Sequence, residues 1–405
     1  YATTFGVRRF EARDGGFLLN GEPVRLMGVE RMAGSHPDHG MAEPASWIEH
    51  DHRDMKELNC VFTRVHWQQD RRVLDYCDRH GILIQVEVPT WGPKTFGGMG
   101  AQPAAEIMDN GLEQLREMIR RDRNHPSVFA WGLCNEVGGQ EPAAREFIRR
   151  MFEEARRLDP RRLLTYASNS LQNETLARDA SGDMDFVSWN DYYESWYRGN
   201  LQDLSANLDR IHAAFPSKPV VISEYGFCEC NPRHTGGDRR RIEVLGQHTR
   251  IFRERPWVAG LIFFSYNDYR THIGDKGVGP LRQRVHGVVD VYGARKPSYD
   301  ALRRESSPVA ELAAARERGG VAVRVRARQS LPAYTLEGYR VRAVVYANGN
   351  LPMEVREAPL PRLAPGGEVT LRIAVEQAAP ERIRVDVIRP TGFPAASTVL
   401  SIAVA

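Results

Sequence analysis

Short apolar, β-rich runs recur through the first three quarters of the chain, separated by helix-like stretches with charged faces. The runs are Val24–Glu30, Val61–His66, Ile82–Val88, Val128–Asn135, Leu163–Ser168, Phe186–Asn190, Val220–Glu224 and Gly260–Tyr266. The intervening pattern predicts helices over Trp47–Leu58, Gln69–His80, Gly111–Arg123, Glu141–Leu158, Leu201–Ala214 and Asp238–Arg253. Strands alternating with helices suit an α/β fold, a (β/α)8 TIM barrel whose usual size is about 250 residues. A doubly wound open sheet is the alternative, but no glycine-rich phosphate loop follows the first run. The barrel is the better fit.

After Ser306-Ser307-Pro308 the period changes to two. Val321, Val323 and Val325 alternate with Ala322, Arg324 and Arg326, and similar runs follow over Tyr339–Val345, Val369–Val375 and Ile383–Ile388. Turns such as Ala364-Pro365-Gly366-Gly367 lie between them. This predicts a small all-β, immunoglobulin-like sandwich over 308–405, accessory to a catalytic barrel over 1–307.

A length of 405 residues agrees with one large and one small domain. Lys and Arg number 55 against 52 Asp and Glu, without long basic runs, so the charge gives no support to a nucleic-acid partner. No run of about 18 apolar residues predicts a membrane span. Cys60, Cys77, Cys134, Cys228 and Cys230 are odd in number and scattered, so neither a disulfide framework nor a zinc pattern is expected. Tyr1-Ala2-Thr3-Thr4 carries neither an initiator Met nor a signal peptide, which suggests a processed or excised piece. The compartment stays open between cytoplasm and periplasm or exterior, as does the oligomeric state.

In a barrel, chemistry gathers where the strands end. Here the runs end at Glu30-Arg31, Arg64-Val65-His66-Trp67, Glu87, Asn135-Glu136, Trp189–Tyr193, Ser223-Glu224-Tyr225 and Ser265–Asp268. Salt bridges closing the barrel would account for two or three of these polar ends, hardly all. Aromatic rings beside carboxylates suit a carbohydrate, which offers flat C–H faces and many hydroxyls. Glycoside hydrolysis needs one protonated and one ionised carboxyl, about 5–5.5 Å apart in retaining enzymes. Glu136 and Glu224 lie on the fourth and seventh runs, which would face each other across such a barrel.

Several stretches carry a resemblance. "NHPSVFAWGLCNE" (Asn124–Glu136) resembles the acid/base signature of glycoside hydrolase family 2, the family of β-galactosidases, β-glucuronidases and β-mannosidases. "VVISEYGF" (Val220–Phe227) is similar to that family's nucleophile strand. "GGFLLNGEPVRLMGVERM", "VLDYCDRHGILIQVEVP", "WNDYYESWY" and "HGVVDVYGARKPSYDALR" match further family stretches, so the likeness covers most of residues 5–305. It implies a retaining, exo-acting β-glycosidase needing no cofactor or metal, with Glu136 as acid/base and Glu224 as nucleophile. Asn135 is expected to bond the 2-hydroxyl of the sugar. Asn190, Tyr192 and Tyr225 are candidates to orient Glu224 or line the pocket, with core hydrogen bonding as the alternative. His66 matches a substrate-contacting histidine. Glu87 either binds hydroxyls or ties neighbouring strands, and Phe264 stands where many members carry a Trp beneath the sugar. His36, His39, His50 and His52 lack metal-ligand spacing.

The chain also departs from the family pattern. The β-domains that usually precede the barrel are not in this sequence, which leads into it at "TTFGVRRF" (Thr3–Phe10). Glucuronidases place an Asn-x-Lys beside the substrate carboxylate, where this chain reads "LRQRVHGVVD", with Arg284 and His286. A β-galactosidase is therefore expected on family frequency, with Arg284 kept as a residue that could serve an acidic sugar. A β-glucuronidase or β-mannosidase, a transglycosylase and a non-catalytic carbohydrate-binding barrel are the rivals.

Overall fold

The computed structural model of the chain describes residues 5–229, 236–272, 277–347, 350–376 and 380–401. Tyr1–Thr4 and Cys230 lie outside them. The chain enters through an antiparallel meander of β1 (Phe10–Arg13), β2 (Gly16–Leu19) and β3 (Glu22–Val24). Its turns are the two-residue pairs Asp14-Gly15 and Asn20-Gly21, all four residues at positive φ, as tight hairpins with right-handed twist require. The meander closes one end of the barrel. Phe10 and Phe17 pack at a tilt with centroids 5.0 Å apart, and Phe17 meets Phe186 edge-on at 5.4 Å, on a layer that includes Phe62 and Phe129.

The barrel strands are β4 (Leu26–Val29), β5 (Phe62–Val65), β6 (Leu83–Glu87), β7 (Val128–Asn135), β8 (Leu163–Ser168), β9 (Val187–Asp191), β10 (Val220–Tyr225) and β11 (Val258–Phe263). All eight pair parallel in the order β4-β11-β10-β9-β8-β7-β6-β5. The β4–β5 seam closes through Val61 N–H to the Met27 carbonyl at 3.4 Å and Thr63 Oγ1 to the Val29 carbonyl at 2.7 Å. Gly28 permits that approach, because a Cβ there would stand 1.7 Å from the Phe62 carbonyl oxygen.

Helices α1 (Ala45–Glu57), α2 (Arg71–His80), α3 (Ala105–Asp122), α4 (Pro142–Leu158), α5 (Leu201–Ala214), α6 (Gly237–Arg253) and α7 (Pro297–Glu305) surround the strands. Asp70 caps α2, and Asn200 with Asp203 forms a capping box on α5, which fixes where those helices start. Between β8 and β9 two 3-10 turns, Leu176–Arg178 and Ala180–Asp183, stand in place of a helix. Among the described residues no helix is long and apolar enough to cross a membrane.

A two-residue pair, β12 (Tyr269–Arg270) and β13 (Gln283–Arg284), follows the barrel. Beyond α7 the chain forms two antiparallel sheets. One contains β14 (Val309–Glu317), β15 (Gly320–Ala327) and β18 (Glu368–Ala374). The other runs β17 (Leu351–Pro359), β16 (Arg340–Ala347), β19 (Arg382–Ile388), β20 (Pro394–Ser401). Their inward residues, Val321, Val323 and Val325 against Val341, Val345 and Val385, share one apolar cluster. Asn59 ties this unit to the barrel, donating to the Ala395 carbonyl at 3.1 Å and accepting from Arg389 at 2.8 Å.

Cys60, Cys77 and Cys134 are free and buried. Cys228 is disulfide-bonded.

Candidate active site

The C-terminal strand ends open onto a cavity of about 820 Å³ whose wall includes Asn135, Glu136, Glu224, His66, Tyr192, Phe264 and Arg284. Two carboxyl groups share it in unlike surroundings.

Glu136 follows the last residue of β7 with φ at 56°, a left-handed conformation that costs a non-glycine residue free energy and turns the chain out of the strand. Its N–H bonds the Ala167 carbonyl at 2.8 Å, fixing the turn against β8. Its Oε1 accepts from Asn190 Nδ2 at 3.0 Å and its Oε2 from Trp91 Nε1 at 3.2 Å. Burial, and next the negative charge of Glu224, push the Glu136 carboxyl above its ordinary range.

Glu224 sits where β10 bulges between Ile222 and Glu224, which aims its side chain inward. Its Oε1 accepts from Arg64 Nη1 at 2.8 Å and pairs with His66 Nε2 at 3.2 Å, while Oε2 accepts from the Tyr192 hydroxyl at 2.5 Å. Burial favours the neutral acid, but His66, Arg64 and Tyr192 outweigh it and hold the carboxyl down at about 2. Burial likewise opposes charge on His66, yet Glu30 on Nδ1 and Glu224 on Nε2 raise the imidazole to about 10. At neutral pH His66 therefore donates from both ring nitrogens.

Arg64 organises the floor. It grips Glu87 through two bonds of 2.9 and 2.8 Å and also donates to Glu30 at 3.2 Å. Gly132 leaves room for this pairing, since a Cβ there would stand 2.6 Å from Glu87 Oε2. Ligand atoms of Glu30, His66 and Glu224 lie within 4.8 Å of one another, close enough to hold a cation. Arg64 already supplies that positive charge and donates to both carboxylates.

The predicted residues divide by position. Asn135 is on the cavity wall and accepts from Asn190 at 3.1 Å. Asn190 is fully buried and works from behind, bridging Asn135, Glu136 and, through Oδ1, the Ser223 hydroxyl at 2.8 Å. Phe264 lines the cavity, with its ring 5.0 Å from His286 and 5.9 Å from His66.

Two expectations are corrected. Tyr225, one residue beyond Glu224, points out of the barrel. Its hydroxyl pairs with Thr249 of α6 at 2.9 Å and its ring packs on Phe252 and Phe263, so it neither touches Glu224 nor reaches the cavity. Glu87 does not bind sugar from the cavity wall; it is fully buried on Arg64, the strand-tying alternative.

Residues not singled out from the sequence complete the site. Glu30 and Arg64 were visible as charged strand ends, but their pairing is tertiary. Trp91, beyond the β6 end, and Trp196, within "WNDYYESWY", were legible as rim aromatics. Tyr269 enters through the β12–β13 pair, too short for any periodicity to reveal.

A parallel eight-stranded barrel with two carboxyl groups of opposite tendency on its open rim has the architecture used by glycoside hydrolases. The family model described as "Glycosyl hydrolases family 2, TIM barrel domain" matches residues 10–249, and the chain belongs to that family. A β-glucuronidase from Bacteroides fragilis is 30% identical over 304 residues, covering 67% of this chain and 41% of that protein. A β-galactosidase from Thermoanaerobacterium thermosulfurigenes is 29% identical over 317 residues, covering 76% of this chain and 40% of that protein. The crystal structure of a GH2 β-galacturonidase from Eisenbergiella tayi bound to galacturonate superposes with a TM-score of 0.66 at 25% identity, over 75% of this chain and 54% of that one. The chain thus spans less than half the length of these curated relatives. Further curated relatives from mouse and pig are named β-glucuronidase.

Proposed function

We propose that the chain is the catalytic portion of a retaining, exo-acting β-glycosidase that hydrolyses terminal β-linked uronic acids. The observation that carries the reading is the pair of opposed carboxyl groups in one cavity, Glu136 pushed up and Glu224 held down. The names of the relatives support the acidic sugar.

The chemistry follows from those protonation states. Glu224 attacks the anomeric carbon as the bond to the leaving oxygen breaks, and Glu136 gives that oxygen its proton. Ester formation removes the charge on Glu224, the second-largest cause raising Glu136, so Glu136 is more acidic as a base is needed. It then takes a proton from water, which attacks the same carbon and releases Glu224. Asn135 bonds the 2-hydroxyl, Tyr192 and His66 hold Glu224, and Asn190 holds Glu136. The C-terminal sheets form an accessory immunoglobulin-like sandwich over 308–405.

A panel of aryl β-glucuronide, galacturonide, galactoside, glucoside and mannoside substrates, with the product anomer followed by proton NMR, tests this. Uronide cleavage giving the β-anomer first is expected. An α-anomer as first product overturns retention, and preference for neutral sugars overturns the uronic-acid reading.

A further inference from the structure

We infer a second ligand site at the opposite end of the barrel, where Lys56 and Arg389 receive the carboxylate of an organic acid with an apolar body. A cavity of about 560 Å³ lies there, between the strand beginnings and the C-terminal unit. Its wall joins Leu26 and Leu83, the first residues of β4 and β6, to Tyr334, Tyr339 and Arg389. Among the described residues it shares none with the cavity of Glu136 and Glu224. Lys56 of α1 and Arg389 beyond β19 are 1% and 3% exposed. The acceptors that meet them are neutral. Lys56 Nζ donates to the Gly81 carbonyl at 3.2 Å. Arg389 donates to the Tyr334 and Tyr339 hydroxyls, each at 2.9 Å, and to Asn59 Oδ1 at 2.8 Å. Arg389 Nε and Thr391 Oγ1 are buried without a partner among the described residues.

Two buried cations without a counter-charge are costly, and a bound anion supplies one. Burial, and next the positive charge of Arg389, hold the Lys56 amine down at about 7. The carboxylates on the same wall are answered elsewhere. Asp78 pairs with His125 at 2.7 Å and accepts from the Ser127 N–H at 2.9 Å, Glu22 pairs with Arg362, and Glu337 stands 3.8 Å from Arg362. Lys56 keeps donors to spare beyond its one bond to Gly81, and Arg389 Nε and the Thr391 hydroxyl add two more. Such a few polar points on a wall otherwise built from Val24, Leu26, Val61 and Leu83 suit a carboxylate on an apolar body better than an inorganic anion.

The test is calorimetric titration of the full chain with octanoate, octan-1-ol and inorganic phosphate. Octanoate should bind at one site per chain, at least about 10-fold tighter than either of the others. Lys56→Met and Arg389→Gln should each weaken octanoate by about 10-fold or more, and Thr391→Val by about 3-fold or more. Lys56→Met replaces a desolvated amine with an apolar side chain of similar length, and Thr391→Val removes one hydroxyl, so these two decide the matter if Arg389→Gln does not fold. No binding of octanoate by wild type overturns the inference, as does binding undiminished in Lys56→Met and Thr391→Val. Octan-1-ol binding as tightly as octanoate overturns the role of the cations, and phosphate binding more tightly overturns the apolar body. Each of these results leaves the glycosidase reading standing, since the two cavities share no residue.

Discussion

Replacing Arg64 by Met removes four hydrogen bonds to Glu87, Glu30 and Glu224, all with fully or almost fully buried side chains. Methionine keeps most of the stem's packing, so the effect is chiefly electrostatic. Breaking a buried ion pair from one side costs about 3–5 kcal/mol, because the stranded charge keeps its desolvation penalty. With a urea slope near ~3 kcal/mol/M, that is a fall of about 1–1.7 M in the unfolding midpoint at pH 7. The pH dependence separates this from simple loss of packing. In the wild type Glu224 is depressed to about 2, so its stabilisation is present above its unfolded value near 4.5 and lost as pH falls through 2. Without Arg64 the Glu224 carboxyl rises and takes up a proton at mildly acid pH, relieving the stranded charge. The gap between variant and wild type should therefore narrow from pH 7 to pH 5. Parallel urea curves by circular dichroism at the two pH values measure it. A variant as stable as wild type, or a gap that does not change with pH, refutes the reasoning.

Glu136→Gln keeps the size of the side chain but has no proton to give the leaving oxygen. Its kcat/KM should fall by about 10²–10⁴ on glycosides with poor leaving groups and far less on dinitrophenyl glycosides, in stopped or continuous aryl assays; equal losses on both contradict an acid role. Trp91→Phe removes an indole N–H that stabilises the ionised form of Glu136, so the carboxyl should rise further. The basic limb of the kcat/KM profile then moves upward by about 1 pH unit, and a downward or absent shift contradicts the assignment.

Much of the barrel was legible because its strands are packed on both faces and end abruptly in polar residues. Asn135-Glu136 is the clearest case: an apolar run ending in a carboxylate has few structural excuses. Glu224 was legible for the same reason, whereas Tyr225 was misread because adjacency in sequence is opposition across a strand, and its ring belongs to the layer under α6. Glu87 carried no sign of its partner, since the grip of Arg64 joins residues 23 positions apart through the barrel floor. The hairpin entry was not read from the pattern, although Asp14-Gly15 and Asn20-Gly21 are residues that fit the positive φ found there. In the C-terminal unit β15, β16, β18 and β19 alternate cleanly in sequence, while in β17 the apolar row Leu351, Met353 and Val355 faces outward and is exposed.

The central claim is that Glu224 forms the covalent bond to the sugar while Glu136 moves the proton. The most direct measurement is trapping with a 2-fluoro uronosyl fluoride, followed by proteolysis and mass spectrometry of the labelled peptide. The account predicts one sugar per chain, carried by Glu224, with Glu136 unmodified. A label on Glu136, or turnover that leaves no trapped ester on Glu224, would contradict it.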